Sequence, residues 1–194
     1  FNMAWQPYFL KKEKSEIEYI TKITTLIAAI LGFLWILLIV WVEDLVRFQI
    51  GSFSLIGSQY WSSTQIVPII ALAYIFHAAY LLQIPGVFLI EKSSWIAWIR
   101  GVGAITNILL NFILIPSWGI IGAAAATCLS FILMAVFIFT INRKIFPIKY
   151  EWGKILIITT VSVSIWISVH QLPLSYFSKI CYTILYPLIL FSTG

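Results

Sequence analysis

No charged residue lies between Arg100 and Arg143, and water is a poor solvent for a run that long without Asp, Glu, Lys or Arg. Two more runs share the property. Twenty uncharged residues, Ile23 to Val42, lie between Lys22 and Glu43. At about 1.5 Å of rise per residue they cross a hydrocarbon core of about 30 Å as one helix. A longer uncharged stretch runs from Arg47 to Glu91. Over the whole chain 61% of residues are hydrophobic and 10% are charged, where soluble domains carry roughly 25% charge. The pattern predicts an all-α, polytopic transmembrane helix bundle.

Breaks inside the long runs set the spans. In the stretch after Arg47, the segment Gly51-Ser52-Phe53-Ser54 to Gly57-Ser58-Gln59 is rich in loop formers, which leaves about 65–89 as the crossing helix. The stretch after Arg100 is too long for one helix and is interrupted by Ile115-Pro116-Ser117-Trp118-Gly119. Proline cannot continue the helical hydrogen bonding and glycine permits a turn, so two spans, about 96–115 and 120–141, meet in a tight hairpin. Further spans follow at about 155–171 and 180–191, with Pro173 in the link between them. Phe1 to Phe9 reads as the end of a helix before the span at 23–42. The expectation is thus six spans over 11–194, the tail of a seventh at 1–10, and a fragment of a longer protein.

The formal charge of +5 would suggest nucleic acid in a soluble protein, but here the basic residues sit in short loops between apolar runs. Their placement reports orientation, and no nucleic-acid partner is expected. One set of alternate loops holds Lys11, Lys12, Lys14, Lys22, Lys92, Arg100, Arg143, Lys144, Lys149 and Lys154; the other holds Arg47 and Lys179. Positive loops resist translocation, which predicts the first set in the cytoplasm. Trp41, Trp61 and Trp118 then fall at the outer boundary and Trp95, Trp98 and Trp152 at the inner one, in the half-wet layer that indoles favour.

Polar groups at membrane depth need a protein partner or a watery cavity. Asn107 and Asn111 are four apart and share one helix face. They read first as glue between helices and second as substrate contacts. Gly119, Gly122 and Ala126 belong to a small-residue run suited to close helix packing, or to a moving interface. His77, with Tyr74, Tyr80 and Gln83 nearby, reads as a structural histidine before a proton relay. Pro68 and Pro85-Gly86 predict bends. Arg100 lies about one turn inside the boundary, placed to snorkel or to hold a phosphate. Cys128 and Cys181 read as small hydrophobes. Metalloprotease, hydrolase, phosphate-loop and CxxC patterns are absent, so no enzyme activity, metal or cofactor is expected.

The segment Ile105-Thr106-Asn107-Ile108-Leu109-Leu110-Asn111-Phe112-Ile113-Leu114-Ile115-Pro116-Ser117-Trp118-Gly119-Ile120-Ile121-Gly122-Ala123-Ala124-Ala125-Ala126-Thr127 resembles the N-x-x-L-N-x-x-L-I-P-x-x-G-I-x-G-A-A-x-A-T signature of polysaccharide flippases. These are Wzx-type and O-antigen exporters of the multidrug/oligosaccharidyl-lipid/polysaccharide superfamily. Phe1 to Tyr8 is similar to the end of the family's eighth helix, so the chain would supply helices nine to fourteen. The resemblance implies the C-terminal lobe of a two-lobed, MATE-like fold, with the loop after helix eight in the cytoplasm. It implies a multi-pass protein of the bacterial inner membrane that flips undecaprenyl-pyrophosphate-linked oligosaccharide for surface polysaccharide such as lipopolysaccharide. Partners would be that lipid-linked oligosaccharide, membrane lipids and other polysaccharide-assembly proteins. The alternatives are a cation-coupled drug exporter of the same superfamily and an integral membrane polysaccharide ligase or polymerase.

Overall fold

A bilayer offers no partner for backbone N–H and C=O groups, so a chain this apolar must satisfy them within each segment, and the helix does so. The computed structural model describes residues 17–50, 53–54, 56–88, 93–145, 150–171 and 175–192. The helix end expected at Phe1 to Phe9, together with Lys11, Lys12, Lys14, Lys92, Lys149 and Pro173, lies outside them. In chain order the elements are α1 (Ile17–Val46), the strands β1 (Gln49–Ile50) and β2 (Phe53–Ser54), a 3₁₀ helix (Ser58–Ile66), α2 (Val67–Phe88), α3 (Ser94–Ile145), α4 (Trp152–Gln171) and α5 (Tyr176–Ser192). Among the described residues four stretches are long and apolar enough to cross a membrane: Ile20–Val46, Ser58–Phe88, Ser94–Lys144 and Trp152–Gln171. The chain is therefore a helical membrane protein by length and composition, and α5 is a shorter apolar helix.

The 52 residues of α3 would reach about 78 Å if straight, more than twice a bilayer's apolar thickness. The helix instead folds back at Gly119, the one residue inside it with non-helical dihedrals (φ 56°, ψ −131°). That φ is open to glycine without the Cβ clash other residues meet. Pro116 was expected to end the first arm, yet the helix passes through it. Its missing donor falls in the last turn of that arm, where a lost bond disturbs little below it. The arms return antiparallel: Asn107 bonds Thr127, and a Cβ on Gly103 would lie 2.6 Å from Met134 Cγ. On the first arm Ile105, Ile108, Leu109 and Phe112 are exposed, an i, i+3, i+4, i+7 stripe fit for lipid, while Asn107 faces the second arm.

The described residues cluster into two compact units. In the first, which holds 17–24 and Leu72–Tyr150, Tyr80, Ile84 and Val87 of α2 pack with Ile96 and Ile99 of the first arm and Met134, Ala135 and Ile138 of the second. The second unit holds Thr25–Ala71 and the residues from Glu151 onward. There Trp35, Ile36, Ile39 and Val40 of α1 are buried, as are Ile158 and Ile165 of α4 and Tyr186 of α5. Long-range hydrogen bonds fix these helices. Trp35 Nε1 donates to the Pro68 carbonyl at 2.8 Å, Trp41 Nε1 to Thr183 Oγ1 at 3.1 Å, and the Tyr186 hydroxyl to the Ala29 carbonyl at 3.2 Å. Gly32 leaves room for that hydroxyl, which an added Cβ would strike. Lys179 pairs with Asp44, so the end of α1 and the start of α5 lie at the same end of this unit. The segment after α1, expected to be a plain loop, is a short antiparallel strand pair followed by a 3₁₀ helix. Ser54 Oγ and Trp61 Nε1 both donate to the Ile56 carbonyl, and Arg47 stacks over Trp61 at 5.7 Å.

Candidate functional site

The four polar residues singled out in the sequence, Asn107, Asn111, His77 and Arg100, all fall in the first unit, on α2 and the first arm of α3. They form two separate groups. Three residues apart on α2, His77 and Tyr80 present stacked rings at 6.0 Å, and His77 stacks on Phe131 of the second arm at 4.5 Å. Tyr74 meets both His77 and Phe131 edge-on. Tyr80 is fully buried, and its hydroxyl accepts a hydrogen bond from Arg100 Nε at 3.2 Å. The arginine thus turns toward α2 and is anchored by a buried phenol, while its residue surface stays exposed. Only one N–H of a planar fork of five is used in that bond.

The second group is a directed relay between the arms of α3. Asn111 Nδ2 donates to Asn107 Oδ1 at 3.0 Å, Asn107 Nδ2 to Thr127 Oγ1 at 3.3 Å, and Thr127 Oγ1 to the Ala123 carbonyl at 3.1 Å. The two amides, four residues apart, share one helix face. The threonine that receives them comes from the far arm. At the relay's end Asn111 Oδ1 is buried without a partner.

Gly122 and Ala126 pack closely. A Cβ on Gly122 would strike the Leu114 carbonyl oxygen and lie 2.6 Å from its carbon, and Ala126 is fully buried. Gly119 does not pack: a Cβ there would meet nothing within 4 Å, and the residue is exposed. Its requirement is conformational, the positive φ that reverses the chain.

Sequence reasoning missed one pair. Asn142, 3% exposed, donates from Nδ2 to the carbonyl of Gln83, 7% exposed, at 2.7 Å. Its side chain lies against Gly86, where a Cβ would come within 2.7 Å of Oδ1. Pro85 brings no N–H to the ladder of α2, which concerns the carbonyl four residues back, whereas Asn142 bonds the Gln83 carbonyl and so ties the second arm of α3 to α2 beside the Pro-Gly pair. Gln83 Oε1 and Asn142 Oδ1 are buried with no partner. The available signal was a Pro-Gly pair in one span with an asparagine at matching depth in another; Asn142 fell just past the expected end of its span.

Outside the spans, burial pushes the Tyr150 phenol up to about 12, with its ring beside Phe139 at 5.9 Å. Among the described residues no group of three or more His, Cys, Asp or Glu side chains is placed to hold a metal ion. Cys128 is buried and Cys181 exposed, both as thiols. The site is one guanidinium, several neutral amides and hydroxyls, and aromatic rings, an arrangement suited to binding and positioning. Comparisons with protein-family models, curated proteins and solved structures gave no match.

Proposed function

We propose that this chain is the C-terminal lobe of a MATE-like flippase that moves undecaprenyl-pyrophosphate-linked oligosaccharide across the bacterial inner membrane for surface polysaccharide synthesis. One observation carries the reading. The residues of the flippase-like signature act together in the fold: Asn107, Asn111 and Thr127 form one relay, Gly119 turns the chain, and Gly122 lets the arms touch. A pattern whose members meet is a stronger basis than a string match.

In this reading the small-residue contact between the arms gives a stiff element that moves as one piece. Alternating access needs such elements, together with a place that bends. Pro85-Gly86 in α2, beside Asn142, is that place. Arg100, held through Nε by Tyr80, offers the rest of its fork to an anionic group such as a pyrophosphate. The ten basic residues of the first loop set lie in the cytoplasm, and other polysaccharide-assembly proteins supply and receive the lipid-linked unit. Deletion of the full-length gene is expected to trap lipid-linked repeat units in the cytoplasmic leaflet and to deplete surface polysaccharide. Unchanged surface polysaccharide in the deletion strain would refute the reading.

A further inference from the structure

The two arms of α3 leave between them a groove of about 370 Å³ with almost wholly apolar walls. The first arm contributes Trp95, Trp98, Ile99 and Val102, spaced i, i+3, i+4, i+7, so the lining is one continuous helix stripe about 10 Å long. The second arm contributes Phe137, Thr140 and Ile141, and the next position on that stripe is Lys144, exposed in the last helical turn beside Arg143.

We propose that this groove binds an anionic phospholipid, one acyl chain lying between the arms and the phosphate held at the mouth by Lys144 and Arg143. Because Gly103 meets Met134 and Asn107 bonds Thr127, the start of the first arm lies level with the end of the second. The two cations therefore stand at the Trp95 end of the groove, alongside the first N–H groups of α3, whose dipole also favours an anion. Trp98 is 73% exposed and Trp95 46%, and indoles at that level mark the layer where headgroups meet hydrocarbon. An occupant must then be apolar along the groove and negative at its mouth, which describes a phospholipid such as phosphatidylglycerol. A second copy of this chain fits poorly. It would bring its own basic mouth against this one, setting like charges face to face.

Native mass spectrometry of the full-length chain in mild detergent tests this, with phosphatidylglycerol and phosphatidylcholine of matched acyl chains titrated in parallel. The wild type is expected to retain one phosphatidylglycerol in preference to phosphatidylcholine. Replacing both cations (Arg143→Gln with Lys144→Gln) is expected to weaken phosphatidylglycerol about thirty-fold, about five-fold for each basic residue at a membrane surface, and to leave phosphatidylcholine unchanged. Filling the groove with Thr140→Trp, or with Val102→Phe should the first fail to fold, is expected to abolish retention. Equal affinity for the two lipids in the wild type would overturn the proposal. So would full retention in a folded groove-filled variant, or a lipid-independent dimer that the same variant dissolves.

Discussion

Gly122→Ala asks the most of the helical hairpin for the smallest chemical change. The added methyl would lie 2.6 Å from the Leu114 carbonyl carbon and 3.0 Å from the Ile115 nitrogen, where ordinary contact begins at 3.4 Å. Backbone atoms cannot swing aside as a side chain can, so the arms must part by about 0.8 Å locally, and overpacking of this kind costs about 1–3 kcal/mol. The Asn107 to Thr127 bond, already 3.3 Å, lies five residues from the wedge and would lengthen beyond useful range, a loss of about 0.6 kcal/mol in a membrane interior. The sum is about 1.6–3.6 kcal/mol, or roughly 3–14 °C in melting temperature for a chain of this size. Gly101→Ala is the control, since a Cβ there meets nothing within 4 Å, and it should melt within about 2 °C of wild type or slightly higher. Thermal melting in detergent gives the first readout. The second is the labelling rate of buried Cys128 in a Cys181→Ser background, which should rise only in Gly122→Ala. If the two alanine variants melt together and Cys128 labels alike, the close approach of the arms is wrong.

Other substitutions test the remaining contacts. Asn107→Leu removes both the bond to Thr127 and the acceptor for Asn111, so it should cost about 1–3 kcal/mol in the same melting assay, and Asn111→Leu made in that background should add little. Asp44→Lys and Lys179→Asp should each lower the melting temperature by a few degrees, about 1 kcal/mol for a partly buried pair, while the double swap should recover most of the loss. Burial disfavours the Tyr150 phenolate, whose pKa is pushed up from 10.0 to about 12. Its contribution to stability is therefore intact below pH 10 and lost as pH rises to about 12. Melting of Tyr150→Phe should fall less steeply than wild type across that window.

The membrane-crossing helices were legible because charge exclusion is local: the uncharged runs at 23–42 and 101–142 can be read without knowing what they touch. The turn was nearly as legible, since the sequence shows a proline and then a glycine that permits it; only the dihedrals show that the chain pivots at Gly119 while the helix runs through Pro116. Asn107 and Asn111 paired as their spacing demands, because a helix face is set by period alone. Their receiver Thr127, the Arg100 to Tyr80 bond and the pair of Asp44 with Lys179, 135 positions further along the chain, depend on how helices are arranged, which no single run encodes. The pairing of Gln83 with Asn142 was overlooked for a related reason. A buried amide beside a proline looks like an ordinary span end until the partner helix is in place. The Gly and Ser content after Arg47 marked a stretch rich in loop formers, but the 3₁₀ form of Ser58–Ile66 depends on bonds such as Thr64 Oγ1 to the Trp61 carbonyl.

Labelling of single cysteines in intact cells bears most directly on the whole account, since every reading above assumes helices that cross lipid with loops sorted by charge. In a background with Cys128 and Cys181 replaced, a membrane-impermeant maleimide should reach cysteine introduced at Arg47 or Ser175 from outside. Cysteine at Lys12 or Lys144 should react only after the membrane is opened. Reaction of all four positions from one side would contradict the account.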